Sequence, residues 1–248
     1  MSELLKDLDE HRSVRAYLDR PIPEEVLDAV VHAAWCAPSS FNAQEISLVL
    51  VRDAARRRRI AEIAGGQPWI AQAPVFIAVV VDYHKTSLGV RKAGRKQEIH
   101  RSVEGLVAAA VDAGIVLEAL MVAAHAEGLA IVPIGGIRRD PQAMIDLLEL
   151  PELTFPVVGL CMGYAAGETA QKPRMEMTAF RHDETYDGSV LQSAIDAYDN
   201  QIVEHWRRVG RANGLTWSKA MATYFGVPDT RPVAEVLHRQ GFRVTRDE

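Results

Sequence analysis

The sequence predicts mixed α and β layers in one domain, and three observations carry that reading. Pro74 to Val81, PVFIAVVV, is a continuous β-branched run of the kind buried on both faces of a sheet. His100 to Gly128 is a long stretch rich in Ala, Leu and Met, with the helix propensity of a central helix. Further strand candidates at Ile46–Val51, Leu129–Ile134 and Pro156–Tyr164 alternate with helix candidates, which argues for layered α and β structure.

Each element has its own signal. Residues 2–10 suit a short helix. Pro23-Glu24-Glu25 opens a second helix, because proline fits the first turn and acids favour the N-terminal dipole. Val26, Leu27, Val30, Val31 and Ala34 follow helical spacing, and Pro38 disfavours helix at the residue before it. Residues 53–64 form an arginine-rich helix stopped by Gly65-Gly66. Pro38–Gln44 and Gln67-Pro68-Trp69 read as polar loops, and 83–98 as a mobile loop or short helix. Asp140-Pro141 caps and starts a helix reaching Leu150. Helices are expected at Ser189–Arg208, Ser218–Tyr224 and Pro232–Gln240.

Length invites a membrane reading of 100–128, since a span needs about 20 apolar residues. Glu104, Asp112, Glu118, His125 and Glu127 interrupt it, and a helix apolar nearly all round usually lies in a protein core. With 28 basic against 33 acidic residues the net charge is −5, so there is no global footprint for nucleic acid. The run Arg56–Arg59 reads as a solvated helix face. Cys36 and Cys161 form no C-x-x-C pair, and the acidic N-terminus lacks the pattern of a signal peptide, so a cytoplasmic setting is expected. No G-x-S-x-G, H-E-x-x-H, P-loop or G-x-G-x-x-G occurs. What remains is a scattered set of anion-binding candidates: Arg12, Arg15, Lys172 and Arg174, with Ser13, Ser39, Ser40, Asn42 and Gln44. Arginine forks match phosphate oxygens, and hydroxyls and amides add donors.

HRSVR (11–15), APSSFNAQ (37–44), GGQPW (65–69), IGGIR (134–138) and QKPRM (171–175), in this order, make the chain resemble the nitroreductase family of flavoproteins. The resemblance is nearest to the NADPH-dependent oxygen-insensitive nitroreductase and flavin reductase branch. It implies an α+β fold: a three-layer sandwich with a mixed, mainly antiparallel sheet between helices. It also implies a long central helix at a homodimer axis and a C-terminal helical excursion, from about 188 to 248, packing on the partner subunit within a single domain of residues 1–248. The implied cofactor is FMN, one per active site at the dimer interface.

By the same resemblance His11 and Arg12 approach the phosphate, Ser13 joins them, and Arg15 lies near the N1–O2 edge of the ring. Ser39, Ser40, Asn42 and Gln44 reach the flavin of the partner subunit. Gln67 binds the pyrimidine edge, and Ile134, Gly135 and Gly136 bring backbone close to N5 and O4, where a side chain would obstruct. Lys172 and Arg174 return to the phosphate and ribityl chain. Arg207 and Arg208 fall where this branch holds the 2′-phosphate of NADPH. The implied reaction is ping-pong hydride transfer from NADPH or NADH to a nitroaromatic, quinone or flavin, with no protein nucleophile, no dedicated acid–base residue and no metal. Alternatives are a dedicated flavin reductase serving a monooxygenase, or a flavin-binding protein without turnover. Neither nucleic acid nor membrane is an expected partner.

Overall fold

A computed structural model describes residues 2–243. The order is α1 (Glu3–Asp9), α2 (Glu24–Trp35), β1 (Ile46–Val51), α3 (Ala54–Ile63), α4 (Pro68–Gln72), β2 (Val75–Asp82) and α5 (Tyr83–Lys92). It continues with α6 (Val103–Ala126), β3 (Ala130–Ile134), α7 (Pro141–Leu148), β4 (Thr154–Gly163), α8 (Leu191–Arg208), α9 (Trp217–Phe225) and α10 (Val233–Arg239). Two compact units are present. One runs through Glu168 and resumes at Arg231; the other is Thr169–Thr230.

The first unit is built on a four-stranded sheet in the order β1-β2-β4-β3, with every neighbouring pair antiparallel. β2 explains the layering. Its residues alternate between faces, and both faces are buried. Phe76, Ala78 and Val80 join Cys161, Val132 and Ile134 in a core with Ile60, Ile70 and Met144 from α3, α4 and α7. Val75, Ile77 and Val79 join Leu160, Met162 and Ile131 in a second core with Leu27 and Val30 of α2 and Leu120 and Ala124 of α6. This is a three-layer sandwich. A third cluster, Val81, Tyr83, Ala109, Ile145, Phe155, Val236 and Phe242, brings α10 back to the first unit. Pro133, which has no N–H to donate, lies in the edge strand β3, where that loss is tolerated.

The caps follow the sequence. Asp140 Oδ1 accepts the Ala143 N–H, and Pro141 occupies the first turn of α7, which ends at Leu148 rather than Leu150. One segment read as a loop is helical, since Gln67 and Pro68 open α4; of the two readings of 83–98, the short helix holds over residues 83–92, which form α5, capped by Asp82 through the Lys85 N–H at 2.9 Å.

α6 corrects the expectation of burial on all sides. Within this chain one stripe is buried: Gly105, Ala109, Asp112, Ala113, Leu120 and Ala124. Val103, Val107, Val111 and Ile115 form an exposed stripe at helical spacing. By length and composition α6 is long and apolar enough to cross a membrane; its buried stripe instead packs on α2 and the sheet.

The second unit is helical, with α8 beside α9. Asp199 Oδ1 of α8 accepts the Ser218 N–H of α9 at 2.9 Å, and Trp206 Nε1 donates to Leu215 O at 3.0 Å.

Candidate functional site

Residues 11–18 run in extended form along the sheet. The Val14 N–H donates to Ile131 O at 3.0 Å, the Leu18 N–H donates to Tyr164 O at 2.9 Å, and Tyr17 bridges Ala165. The Tyr17 hydroxyl donates to Val14 O at 3.0 Å. Val14 and Tyr17 are buried, Ser13 is half-buried and Arg15 is exposed. The His11 ring stacks on His125 of α6, centroids 5.7 Å apart. Arg12 pairs with Glu10 at 3.1 Å. The Arg15 guanidinium stands 5.6 Å from the centre of the Trp69 ring, within cation–π range.

That contact joins the first motif to the third. α3 is capped by Ala64, and the turn beyond it needs Gly65 and Gly66, whose φ values are 88° and 77°. Gln67 then folds back, its Nε2 donating to Ala64 O at 2.9 Å. Gly135 and Gly136 open a 3₁₀ turn, Gly135–Arg139, directly after buried Ile134. A Cβ on Gly136 would collide with Gln67 Nε2 and lie 2.7 Å from Ala64 O. The chain therefore brings Arg15, Trp69, Gln67 and Gly136 onto one continuous patch of the sheet's α3–α4 side. Cys161 lies buried beneath it on β4, and burial pushes its thiol up, so it offers no thiolate there.

Ser39, Ser40, Asn42 and Gln44 lie elsewhere, in the connection from α2 to β1. Phe41, Asn42 and Gln44 have positive φ of 54°, 55° and 54°, a cluster of left-handed residues none of which is glycine. Phe41 protrudes, fully exposed. The loop is tied inward. Asp112 Oδ2 accepts the Ser40 N–H at 2.7 Å, and Oδ1 accepts the Ser40 hydroxyl at 3.2 Å. Ser39 Oγ accepts the Gln44 N–H at 3.0 Å, and Lys85 Nζ donates to Gln44 O at 2.6 Å. A groove of 310 Å³ between this loop, α2 and β1 is lined by Trp35, Ser39, Gln44 and Lys85 among others.

Sequence reasoning missed two residues under the loop, Asp112 and Glu45, each 2% exposed. An acid flanked on both sides by small apolar residues, in the middle of a mainly apolar helix, was the signal for Asp112. Burial first, and then the adjacent Asp112 carboxyl, push Glu45 above its ordinary value, while Lys85 pulls the other way. Glu45 Oε2 has no hydrogen-bond partner. An acid whose folded pKa is raised favours folding while protonated; its contribution is complete below the unfolded value and is lost as pH rises through the folded one. Wild type is therefore expected to lose stability relative to Glu45→Gln as pH climbs above 4.5. Denaturant melts of both proteins between that pH and neutrality check this; parallel curves would refute it.

In the second unit, Lys172 Nζ lies 5.4 Å from the centre of the Trp206 ring, and the Arg211 guanidinium lies 5.6 Å from it. Arg174 donates to Lys172 O at 3.1 Å, and the Tyr198 hydroxyl donates to Pro173 O at 3.0 Å. Arg207 reaches Glu204 at 3.4 Å, and Arg208 is exposed one residue on. The aromatic centre of these cations, Trp206, escapes a reading of the sequence, because no motif marks it.

Comparison with known proteins identifies the family. The nitroreductase family matches residues 8–164, and the nitroreductase family C-terminal domain matches residues 172–245. The chain is 41% identical over 251 residues to an FMN reductase (NAD(P)H) of Bacillus subtilis, spanning 99% of this chain and 100% of that one. Among solved structures, the hypothetical oxidoreductase YcnD of B. subtilis superposes with a TM-score of 0.96 at 40% identity, covering 99% of this chain and 100% of that one. The NADPH:FMN oxidoreductase of Vibrio harveyi, solved with NAD+, gives 0.88 at 26% identity, with 98% and 99% covered. The fold, the five motifs in order and matches across both units lead to one conclusion: this chain belongs to the nitroreductase family.

Proposed function

We propose that the protein is an FMN-dependent NAD(P)H oxidoreductase that reduces nitroaromatics, quinones or flavins. The observation carrying this reading is the patch formed by Arg15, Gln67 and Gly136. Its chemistry fits a flat, anionic, hydrogen-bonding ring: a cation, an amide and a backbone left bare by glycine. The clash that any Cβ at Gly136 would meet marks a place where the chain is kept clear of side chains. When bound, FMN supplies the redox chemistry, accepting hydride equivalents from a nicotinamide and delivering them to a second molecule.

The protein's own residues bind and tune. Arg15, braced over Trp69, supplies fixed positive charge where the ring gains electrons, an electrostatic contribution prepared in advance. Gln67 keeps one amide proton on Ala64 O, leaving its other proton and its carbonyl oxygen for the pyrimidine edge. Ile134 sets the start of the Gly135-Gly136 turn. His11, Arg12 and Ser13 form the phosphate end. Lys172 and Arg174 belong to the same set through the motif match and their charge, as do Arg207 and Arg208 for the 2′-phosphate of NADPH.

The proposed working form is a cytoplasmic homodimer in which both units of each chain act as one domain, with residues from about 188 to 230 packing on the partner subunit; the expected excursion stops short of α10, which packs on its own chain's sheet unit. The exposed Val103, Val107, Val111 and Ile115 stripe supports this, as an apolar helix face in want of cover. Ser39, Ser40, Asn42 and Gln44 then serve the partner's flavin, which accounts for their lying away from Gln67. Purified protein is expected to be yellow, or to become so with FMN, and to bleach under NADPH or NADH without oxygen. A colourless protein that no amount of FMN reconstitutes overturns the reading.

A further inference from the structure

We propose that Asp112 is a positioning residue for the flavin, fixing from helix α6 the Ser39–Gln44 loop that serves the partner's site. This rests on the FMN reading above. Asp112 is the one charged residue in the buried stripe of α6, and both its carboxylate oxygens bond Ser40, one the backbone N–H and one the hydroxyl. Carboxylate-to-N–H bonds of this kind are among the stronger neutral-donor contacts, and a buried acid left without them is costly. What they hold is a conformation the loop would not adopt unaided. Three of the five residues from Ser40 to Gln44 are non-glycine residues at positive φ, each disfavoured. At the far end Lys85 supplies a second tie, its Nζ on Gln44 O at 2.6 Å and Ile46 O at 3.0 Å.

The bonds also divide the work between the two serines. Both donors of Ser40 are committed to Asp112, so Ser40 is the anchor. Ser39 Oγ only accepts, from Gln44, and its own proton remains to donate. Because Asp112 lies on the same helix as the exposed apolar stripe, the loop's shape is set by the element expected at the subunit contact. Removal of Asp112 is thus expected to loosen flavin binding without removing any group that touches flavin.

The test is FMN titration of the apo dimer by fluorescence quenching, with visible circular dichroism of the bound flavin, for wild type, Asp112→Ala, Asp112→Asn and Lys85→Met. Asn retains an oxygen for the Ser40 N–H and offers an amide proton to its Oγ. Asp112→Ala is expected to raise the FMN Kd about tenfold or more and to change the dichroism of the flavin that still binds, while Asp112→Asn stays near wild type. Lys85→Met is expected to weaken binding less, in the same direction. A folded Asp112→Ala dimer with wild-type Kd and dichroism overturns the inference. If that variant does not fold, Lys85→Met decides by the same two readings. Wild type that fails to bind FMN overturns the functional reading itself; wild type that binds while the variants match it overturns only the role of Asp112.

Discussion

Gly136→Ala is expected to cost the protein its flavin. The new methyl carbon meets Gln67 Nε2 and sits 2.7 Å from the carbonyl oxygen of Ala64. The amide of Gln67 is the end of a flexible side chain and can swing aside. The Ala64 carbonyl is backbone at the end of α3, so relief there requires the helix end or the Gly135–Arg139 turn to move. Overpacking of this sort costs about 1–3 kcal/mol; a swing of Gln67 displaces the group assigned to the ring's pyrimidine edge, and a shift of the turn displaces the backbone assigned to N5 and O4. The FMN Kd should rise at least tenfold, measured by titration of apoprotein. A Gly136→Ala protein that binds FMN as wild type does would show that this turn is not part of the pocket. Gly135 makes a sensitive comparison: a methyl there would meet only the end of the Arg138 side chain, at 3.2 Å, so alanine should be milder.

Phe76→Ala is expected to give the largest loss of stability. Phe76 is 0% exposed near the start of β2, opposite Cys161 of β4 and Val51 of β1. Its ring occupies the space that a side chain at Gly159 would need; a Cβ there would come within 2.6 Å of its Cε2. Alanine leaves a void that neither Gly159 nor the small neighbour Ala78 can fill. Such truncations cost about 3–5 kcal/mol, and for a chain of this size each kcal/mol lowers Tm by about 2–4 °C. Because the ring supports the α3–α4 face, flavin affinity should fall alongside Tm. Calorimetry of the apoprotein checks the first effect, and a loss of less than about 1 kcal/mol would mean that the core closes over the gap.

Where local chemistry dictates an element, the residues announce it. The β-branched run of β2, the proline-and-acid start of α2 and the Asp140-Pro141 opening of α7 all stand where the sequence puts them. α4 was hidden because five residues are too few to show a helical period, although Pro68 at its first turn was a legible sign. α6 shows a different limit. An apolar residue at 107 and one at 120 look alike in sequence, yet Leu120 faces the chain's own sheet and Val107 faces outward. Periodicity cannot separate two partners that are both apolar.

The site divides in the same way. The motifs supplied the residue types, but proximity of Arg15, Trp69, Gln67 and Gly136 depends on folds in the chain that no spacing encodes. Asp112 and Ser40 are 72 positions apart, and nothing in either neighbourhood points to the other.

Strand β1 ends the sheet, and its sequence, ISLVLV, carries neither charge nor proline. Among the described residues no strand pairs with its outer side. Such an edge is a template for any extended chain that meets it, and the usual protections are charge, proline, bulges or a cover. Here Lys85 shields only the first carbonyl of the strand. The consequence concerns the protein's life before it works: a freshly synthesised chain carries a border open to other nascent copies, and crowding at that stage is a hazard of manufacture.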